Sequence, residues 1–240
     1  MKIRIDKMLS NSGFGSRKQI KTDARKGFIE VNGAIEKDSS RIIDTNADTV
    51  KYNGEIVKYT PFIYLMMNKP SGVVSATEDN YDKTVIDLLQ DEEKFYKPFP
   101  VGRLDKDSEG LLLITNDGKL AHDLLSPRKH VDKTYYVEVA EEVTDADIKA
   151  FEDGVVLKED NYKTLSAKLE IIESGYPSTC LVTIKEGKFH QVKRMFEALN
   201  NEVTYLKRIS MGPLKLDESL KTGQYRHLTE DEVELLKKTT

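Results

Sequence analysis

Cysteine and long apolar runs are scarce in this sequence. The one cysteine, Cys180, cannot form an intrachain disulfide, which suits a reducing compartment. The longest strongly apolar stretch covers residues 62–67 and is far too short to span a bilayer. The first seven residues lack the apolar core of a signal peptide. We therefore expect a soluble cytoplasmic protein that makes no use of a membrane.

Cofactor and metal motifs are missing or incomplete. Residues 13–15 begin like a dinucleotide fingerprint, but Lys18 stands where the third glycine belongs. No Walker A pattern is present, and the four His and one Cys have no zinc-type spacing. A calcium-like loop starting at Asp105 fails because its twelfth position is Asn116, not a glutamate. The sequence thus predicts neither a cofactor nor a metal.

Charge is distributed very unevenly along the chain. Its 240 residues, 38% of them hydrophobic, suffice for one large domain or for a small and a medium one. The net charge is −4, yet residues 1–33 contain eight Lys or Arg and only three acidic residues, a net +5. The other 207 residues therefore carry −9. Such asymmetry is typical of a polyanion-binding segment, although a solvated face would also account for it.

Residues 1–60 are predicted to form a small domain of two helices followed by short strands. Apolar residues near the start share one helical face, and glycines then break the pattern. Ser16 can cap a second helix over residues 17–26. Asn32-Gly33 and Asn53-Gly54 are strong hairpin turns. We place the domain boundary after residue 60.

Residues 61–240 are predicted to form an α+β domain, a mixed and largely antiparallel sheet with flanking helices. Thr84 and Thr144 are potential caps of short helices, and Thr229 begins a capping box. Residues 190–199 have the spacing of a helix with one apolar face. The predicted strands are 62–67, 111–115, 133–140, 167–174, 179–186 and 203–207.

The most informative stretch is a dense polar loop, residues 102–110, that runs directly into an apolar strand. This arrangement holds a carboxylate at the edge of a rigid sheet. The stretch resembles the catalytic motif of the RsuA-type pseudouridine synthases, which modify ribosomal RNA. Three further blocks agree in order and spacing, and the N-terminal segment is similar to an S4 RNA-binding domain. The blocks are 64–73, 133–137 and 186–196, and the S4-like positions are 4–7, 15–17 and 31–33.

The resemblance covers nearly the whole chain and implies that a uridine is isomerised without a cofactor. The matching essential aspartate is Asp105, which would act either as a nucleophile at C1′ or as a base at C2′. Both routes need an ionised carboxylate, and the family pattern makes Lys193 its candidate partner. Tyr135 matches the tyrosine that stacks on the target base, whereas Tyr136 points to the opposite face of the strand.

The resemblance also implies supporting residues around Asp105. Arg103 would help to hold the flipped nucleotide out of the helix, and Leu206 would pack near the target base. Lys207 and Arg208 are candidates for phosphate contacts. His190 and Gln191 are interpreted as structural or RNA-contacting. The residues expected to bind RNA are Arg4, Lys7, Ser16, Arg17, Lys18, Lys21, Lys26, Arg194 and Arg208.

The expected partner is ribosomal RNA, bound by a monomer. Residues 68–77 resemble the small-subunit branch most closely and the chain lacks a long basic tail, which favours 16S RNA. A large-subunit (23S) target stays open as an alternative. A non-catalytic ribosome-assembly factor is a second alternative, although the presence of Asp105, Tyr135 and Lys193 speaks against it.

Overall fold

The computed structural model describes residues 2–239, which form two compact units. The first ends at Phe62 and also includes Asp91–Tyr96, whereas the second comprises Ile63–Gln90 and the chain from Lys97 onward. The domain boundary after residue 60 stays a prediction. Within residues 2–239, no helix combines the length and apolar character needed to cross a membrane.

The first unit packs helices α1 and α2 beside small antiparallel sheets. Ser16 Oγ accepts a hydrogen bond from Gln19 N, which caps α2 as predicted. Gly27 follows the helix with φ of +85°, a conformation that glycine adopts without strain. The strand order is β3-β2-β5-β6, with β1 and β4 as a separate pair. The elements are β1 (Lys2–Arg4), α1 (Ile5–Asn11), α2 (Arg17–Arg25), β2 (Ile29–Val31), β3 (Ala34–Ile35), β4 (Ile42–Asp44), β5 (Val50–Tyr52), β6 (Glu55–Ile56) and α3 (Asp91–Phe95).

A nine-stranded sheet dominates the described residues of the second unit. The strands are β7 (Tyr64–Lys69), β8 (Phe99–Pro100), β9 (Glu109–Thr115), β10 (Lys133–Val139), β11 (Val156–Leu157), β12 (Tyr162–Lys163), β13 (Lys168–Glu173), β14 (Ser178–Ile184), β15 (Val203–Met211), β16 (Leu214–Lys215) and β17 (Tyr225–His227). The sheet order is β13-β14-β10-β15-β9-β7-β17, with β16 on β15 and β8 on β9, while β11 and β12 form a separate hairpin. Every pair in it is antiparallel except β9 with β15. The predicted α+β fold with a mixed, largely antiparallel sheet is confirmed.

Helices flank this sheet, and two of the three predicted caps are confirmed. Thr144 forms a capping box at the start of α5, and Thr229 forms one with Glu232 before α7. The prediction for Thr84 is wrong, because its hydroxyl exchanges hydrogen bonds with Asp87 within a turn and no helix follows. The helices are α4 (Gly118–Leu125), a 3-10 turn (Pro127–Lys129), α5 (Asp145–Asp153), α6 (Gln191–Ala198) and α7 (Glu230–Thr239).

Strand β9 lies inside the sheet, between β7 and β15. Its residues from Leu111 to Ile114 are fully buried, and each such side chain stabilises the fold by about 1.5–3 kcal/mol. At its start, Gly110 has φ of +99° and pairs with Arg208 of β15. A Cβ atom at position 110 would lie 2.2 Å from the Arg208 carbonyl oxygen. Only glycine therefore allows the two strands to approach where the polar loop enters the sheet.

Candidate active site

Asp105 lies in the tight turn that leads into β9, and its backbone is held from several directions. Ser75 Oγ donates to the Leu104 carbonyl at 2.8 Å and accepts from Leu104 N at 3.1 Å. Ser108 N donates to the Asp105 carbonyl at 3.1 Å, which closes the turn. Gly72 N donates to the Lys106 carbonyl at 2.8 Å. The loop is therefore fixed on both sides of the carboxylate.

Lys69, at the end of β7, is the main support of this turn. Its side chain is fully buried, and Nζ donates to the carbonyls of Pro70 at 2.9 Å, Ser108 at 2.8 Å and Lys106 at 3.3 Å. Burial lowers the pKa of Lys69 to about 8, against the opposing charges of nearby carboxylates. The sequence analysis includes this lysine in the block 64–73 but predicts no role for it. The feature that indicates a structural role is the position of this lysine at the end of an apolar strand and directly before a proline.

Two basic side chains face the Asp105 carboxylate. Lys193 Nζ lies 3.6 Å from Oδ2, and His190 Nε2 lies 3.6 Å from Oδ1. Lys193 is the predicted partner, but its hydrogen bonds go to both oxygens of Asp107, at 2.6 and 2.8 Å. The pKa of Asp107 is lowered overall. Burial alone would raise this pKa, but the hydrogen bond and the charge of Lys193 outweigh the effect of burial. Lys193 is therefore shared between two carboxylates.

A cavity of about 100 Å³ opens beside Asp105. Tyr135, Leu206 and Arg103 all contribute to its lining. Tyr135 and Leu206 are 8% and 7% exposed, on neighbouring strands β10 and β15. Alternate residues of β10 are buried, so Tyr136 lies on the other face. Three of the four residues predicted around Asp105 are thus brought together at one cavity.

The structure changes the prediction for Arg208. Its side chain is 2% exposed, and Nε donates to the Leu111 carbonyl at 2.8 Å. Nη2 has no hydrogen-bond partner among the described residues. Both Arg208 and Lys133 line the cavity, and burial together with the Arg208 charge lowers the pKa of Lys133 to about 8. Arg208 is therefore a cavity-lining residue and not a surface ligand for phosphate.

Arg194 also differs from its prediction as an RNA-binding residue. Its side chain is 9% exposed and is neutralised by Asp160 at 2.7 Å and Glu159 at 3.4 Å. Arg194 links the turn before β12 to α6. Because both acidic partners offset its charge, its attraction for a phosphate is weak. Gln191, predicted to be structural or RNA-contacting, is buried, and its amide donates to Glu186 at 2.8 Å.

The predicted basic residues of the first unit lie at its surface. Arg4 is paired with Asp6 at 2.6 Å, which reduces the charge it can offer to a ligand. The α2 helix contributes exposed cations along its length, and Ser16 is exposed at its start. The predicted RNA-binding cations that are exposed, besides Arg4, are Lys7, Arg17, Lys18, Lys21 and Lys26, and Arg25 of α2 is exposed as well. This clustering is the footprint expected of a surface that binds a polyanion.

No group of three or more His, Cys, Asp or Glu within the described residues could hold a metal ion. The site instead joins one carboxylate, flanking cations, a tyrosine and a leucine at a small cavity. A carboxylate in such a setting can act as an acid–base group or as a nucleophile.

Comparison with known proteins gives the family. The model of the RNA pseudouridylate synthase family matches residues 63–198, and the model of the S4 domain matches residues 3–49. The chain belongs to the RNA pseudouridylate synthase family, and it is an enzyme that carries an S4 domain.

Its relatives match over almost their full length. It is 52% identical to an RNA pseudouridine synthase of Bacillus subtilis, over 98% of each chain. It is 40% identical to the ribosomal small subunit pseudouridine synthase A of Vibrio cholerae, over 96% of this chain and 98% of that protein. A solved pseudouridylate synthase structure superposes with a TM-score of 0.69 at 36% identity, covering 98% of this chain and 99% of that one.

Proposed function

We propose that this protein isomerises one uridine of small-subunit (16S) ribosomal RNA to pseudouridine, with Asp105 as the essential residue. The reaction breaks the N1–C1′ bond, turns the uracil and forms a C5–C1′ bond, while the C5 proton is lost and N1 gains one. No atom or electron is gained or lost overall, so the proposal requires no cofactor. Asp105 acts either at C1′ as a nucleophile or at C2′ as a base.

The observation that carries this proposal is the position of Asp105 at a cavity that Tyr135 and Leu206 also line. A water molecule needs about 10–15 Å³ of such space, so about 100 Å³ has room for a group of several heavy atoms. Tyr135 and Leu206 supply apolar surface for a base. Both routes need a carboxylate within reach of the ribose, and Lys193 Nζ lies 3.6 Å from Asp105 Oδ2.

The target uridine has to leave its stack to enter this cavity. Flipping costs a few kcal/mol, which makes loosely paired RNA the easier substrate. Arg103 is exposed and lines the same cavity as Asp105, a position suited to holding the displaced nucleotide.

The first unit is proposed to capture the RNA through the exposed cations of α2. The triple variant Arg17→Ala, Lys18→Ala, Lys21→Ala should bind ribosomal RNA more weakly, and the slope of log affinity against log salt should fall by about 2–3. The matched control removes three exposed lysines of the second unit, Lys119, Lys149 and Lys238, and should leave both values near the wild type. Equal losses in the two variants would contradict capture by α2.

The small-subunit target is proposed from the relatives, among which the Vibrio cholerae protein is named for that subunit. Because the proposed substrate is ribosomal RNA, we also propose that the enzyme acts in the cytoplasm, and that it acts as a monomer. Large-subunit RNA is the competing substrate, and non-catalytic RNA binding is the competing function.

The test is a pseudouridine map of unmodified small- and large-subunit ribosomal RNA after incubation with the wild type, Asp105→Asn or Asp153→Asn. One new pseudouridine in small-subunit RNA, absent with Asp105→Asn and present with the control Asp153→Asn, is the expected result. A site in large-subunit RNA would move the substrate to the alternative. If neither RNA nor assembly intermediates gain a site, while RNA binding persists, the binding-factor function is favoured.

A further inference from the structure

Phe189 presents a large apolar ring to solvent near Asp105. Its side chain is 72% exposed, although scattered exposed apolar residues are normal and carry no meaning alone. Tyr176, for example, is 73% exposed in the turn before β14. Two further features, its support and its location, distinguish Phe189.

One face of the Phe189 ring is covered by a neighbouring side chain, and its backbone is hydrogen-bonded. The His190 ring stacks against it, with centroids 3.7 Å apart and planes 19° from parallel. The Phe189 carbonyl accepts from Arg194 Nη1 at 3.3 Å, and Gln191 Oε1 accepts from Lys188 N at 2.9 Å. Because the backbone is tied on both sides, little conformational entropy is lost when a ligand contacts the outer face of the ring.

The location of the ring relates it directly to the reacting group. His190, against which Phe189 stacks, lies 3.6 Å from Asp105 and lines the cavity beside it. The His190 ring thus lies in contact with both Phe189 and the surroundings of Asp105. Lys185 and Lys188 on the same segment are exposed cations that attract a phosphate backbone.

We infer that the outer face of Phe189 stacks on a base adjacent to the target uridine. The inference rests on the proposed function, since it requires an RNA strand that enters the cavity beside Asp105. Removing one uridine from its stack leaves the neighbouring base without a partner, and an exposed aromatic face replaces that partner. Stacking tolerates any base, so Phe189 provides affinity and registration of the strand without reading the sequence.

The experiment uses the full-length protein and a short synthetic RNA centred on the uridine identified by the map. Phe189→Ala should weaken RNA binding and raise KM by about tenfold to a hundredfold, with a smaller change in kcat. Phe189→Tyr should restore most of the affinity. Tyr176→Ala, which removes a comparably exposed aromatic ring at the opposite end of β14, is the matched control and should bind as the wild type does.

A second substrate isolates the stacked base. An abasic site is placed on either side of the uridine in turn, and one of the two positions removes the base that stacks on Phe189. At that position the abasic site should weaken binding to the wild type and have little further effect on Phe189→Ala, because the abasic site and the substitution remove the same interaction. Additive losses for abasic sites on both sides would overturn the inference, as would wild-type affinity of a folded Phe189→Ala. Failure of the proposed function is a distinct result, in which the wild type forms no pseudouridine.

Discussion

Replacing Lys69 by methionine tests whether a buried ammonium group supports the turn that carries Asp105. The change removes the Lys69 donor from the carbonyls of Pro70 and Ser108, whereas the Lys106 carbonyl keeps the amide of Gly72 as a donor. Each buried carbonyl without a partner costs about 1–3 kcal/mol. Removing the buried charge offsets part of this cost. Lowering the pKa of Lys69 to about 8 means that burial disfavours its charged form by about 3 kcal/mol. Two such carbonyls cost about 2–6 kcal/mol, so after this offset the free energy of unfolding should fall by up to about 3 kcal/mol.

Urea unfolding and single-turnover kinetics of Lys69→Met provide the measurement. We expect kcat to fall together with stability, since the turn that positions Asp105 loses its support. Lys119→Met, which removes a lysine whose side chain is 93% exposed, should change stability by less than about 0.5 kcal/mol. A Lys69→Met protein with wild-type stability and wild-type kcat would refute the reasoning.

The same lysine predicts how stability depends on pH. Its pKa is about 8 in the folded protein and about 10.4 in the unfolded chain, so the unfolded chain binds more protons between these values. Stability of the wild type should therefore rise relative to Lys69→Met as pH increases from about 8 to 10. The opposite slope would show that the Lys69 pKa is not lowered by folding.

Other predictions address the strand pairing, the second carboxylate and the cysteine. Gly110→Ala should lower the free energy of unfolding by about 3 kcal/mol or more, because the added Cβ overlaps the Arg208 carbonyl; near wild-type urea unfolding would contradict this. Asp107→Asn should lower it by less than about 1 kcal/mol at pH 7, since the Asp107 side chain is 70% exposed. Because the pKa of Asp107 is lowered by folding, that difference should be lost as pH falls below about 3.9, the ordinary pKa of an aspartate, and a difference that persists in strong acid would have another origin. Burial raises the pKa of Cys180 to about 12, so a thiol reagent at pH 8 should label it only after unfolding; fast labelling of the native protein would contradict its burial.

Local features of the fold could be predicted because their causes lie within a few residues. The cap at Ser16 and the capping box at Thr144 each depend on a side chain and a backbone group three positions away. The turns at Asn32-Gly33 and Asn53-Gly54 follow from positive φ at all four residues. Thr84 has the same type of side chain as Thr144, but no helix follows it, so the residue type alone could not separate a cap from a turn.

The site could be predicted only where the family resemblance supplied it. Asp105, Tyr135 and Leu206 do line one cavity. Arg194 and Arg208, in contrast, have the composition of RNA ligands, and their burial depends on partners far away in sequence. Arg194 is neutralised by an aspartate 34 residues earlier, and Arg208 donates to a carbonyl 97 residues earlier. Such long-range contacts leave no periodic signal in one sequence.

The parallel pair of β9 and β15 has a consequence for the order of folding. Parallel neighbours cannot be joined by a tight turn, and here β10 to β14 lie between them along the chain. The turn before β9 carries Asp105, whereas β15 carries Leu206, so the cavity is incomplete until this long-range pair closes. Closure over such a separation is slow compared with hairpin formation. During synthesis the nascent chain therefore has no assembled active site until β15 has left the ribosome, even after the RNA-binding unit has been made.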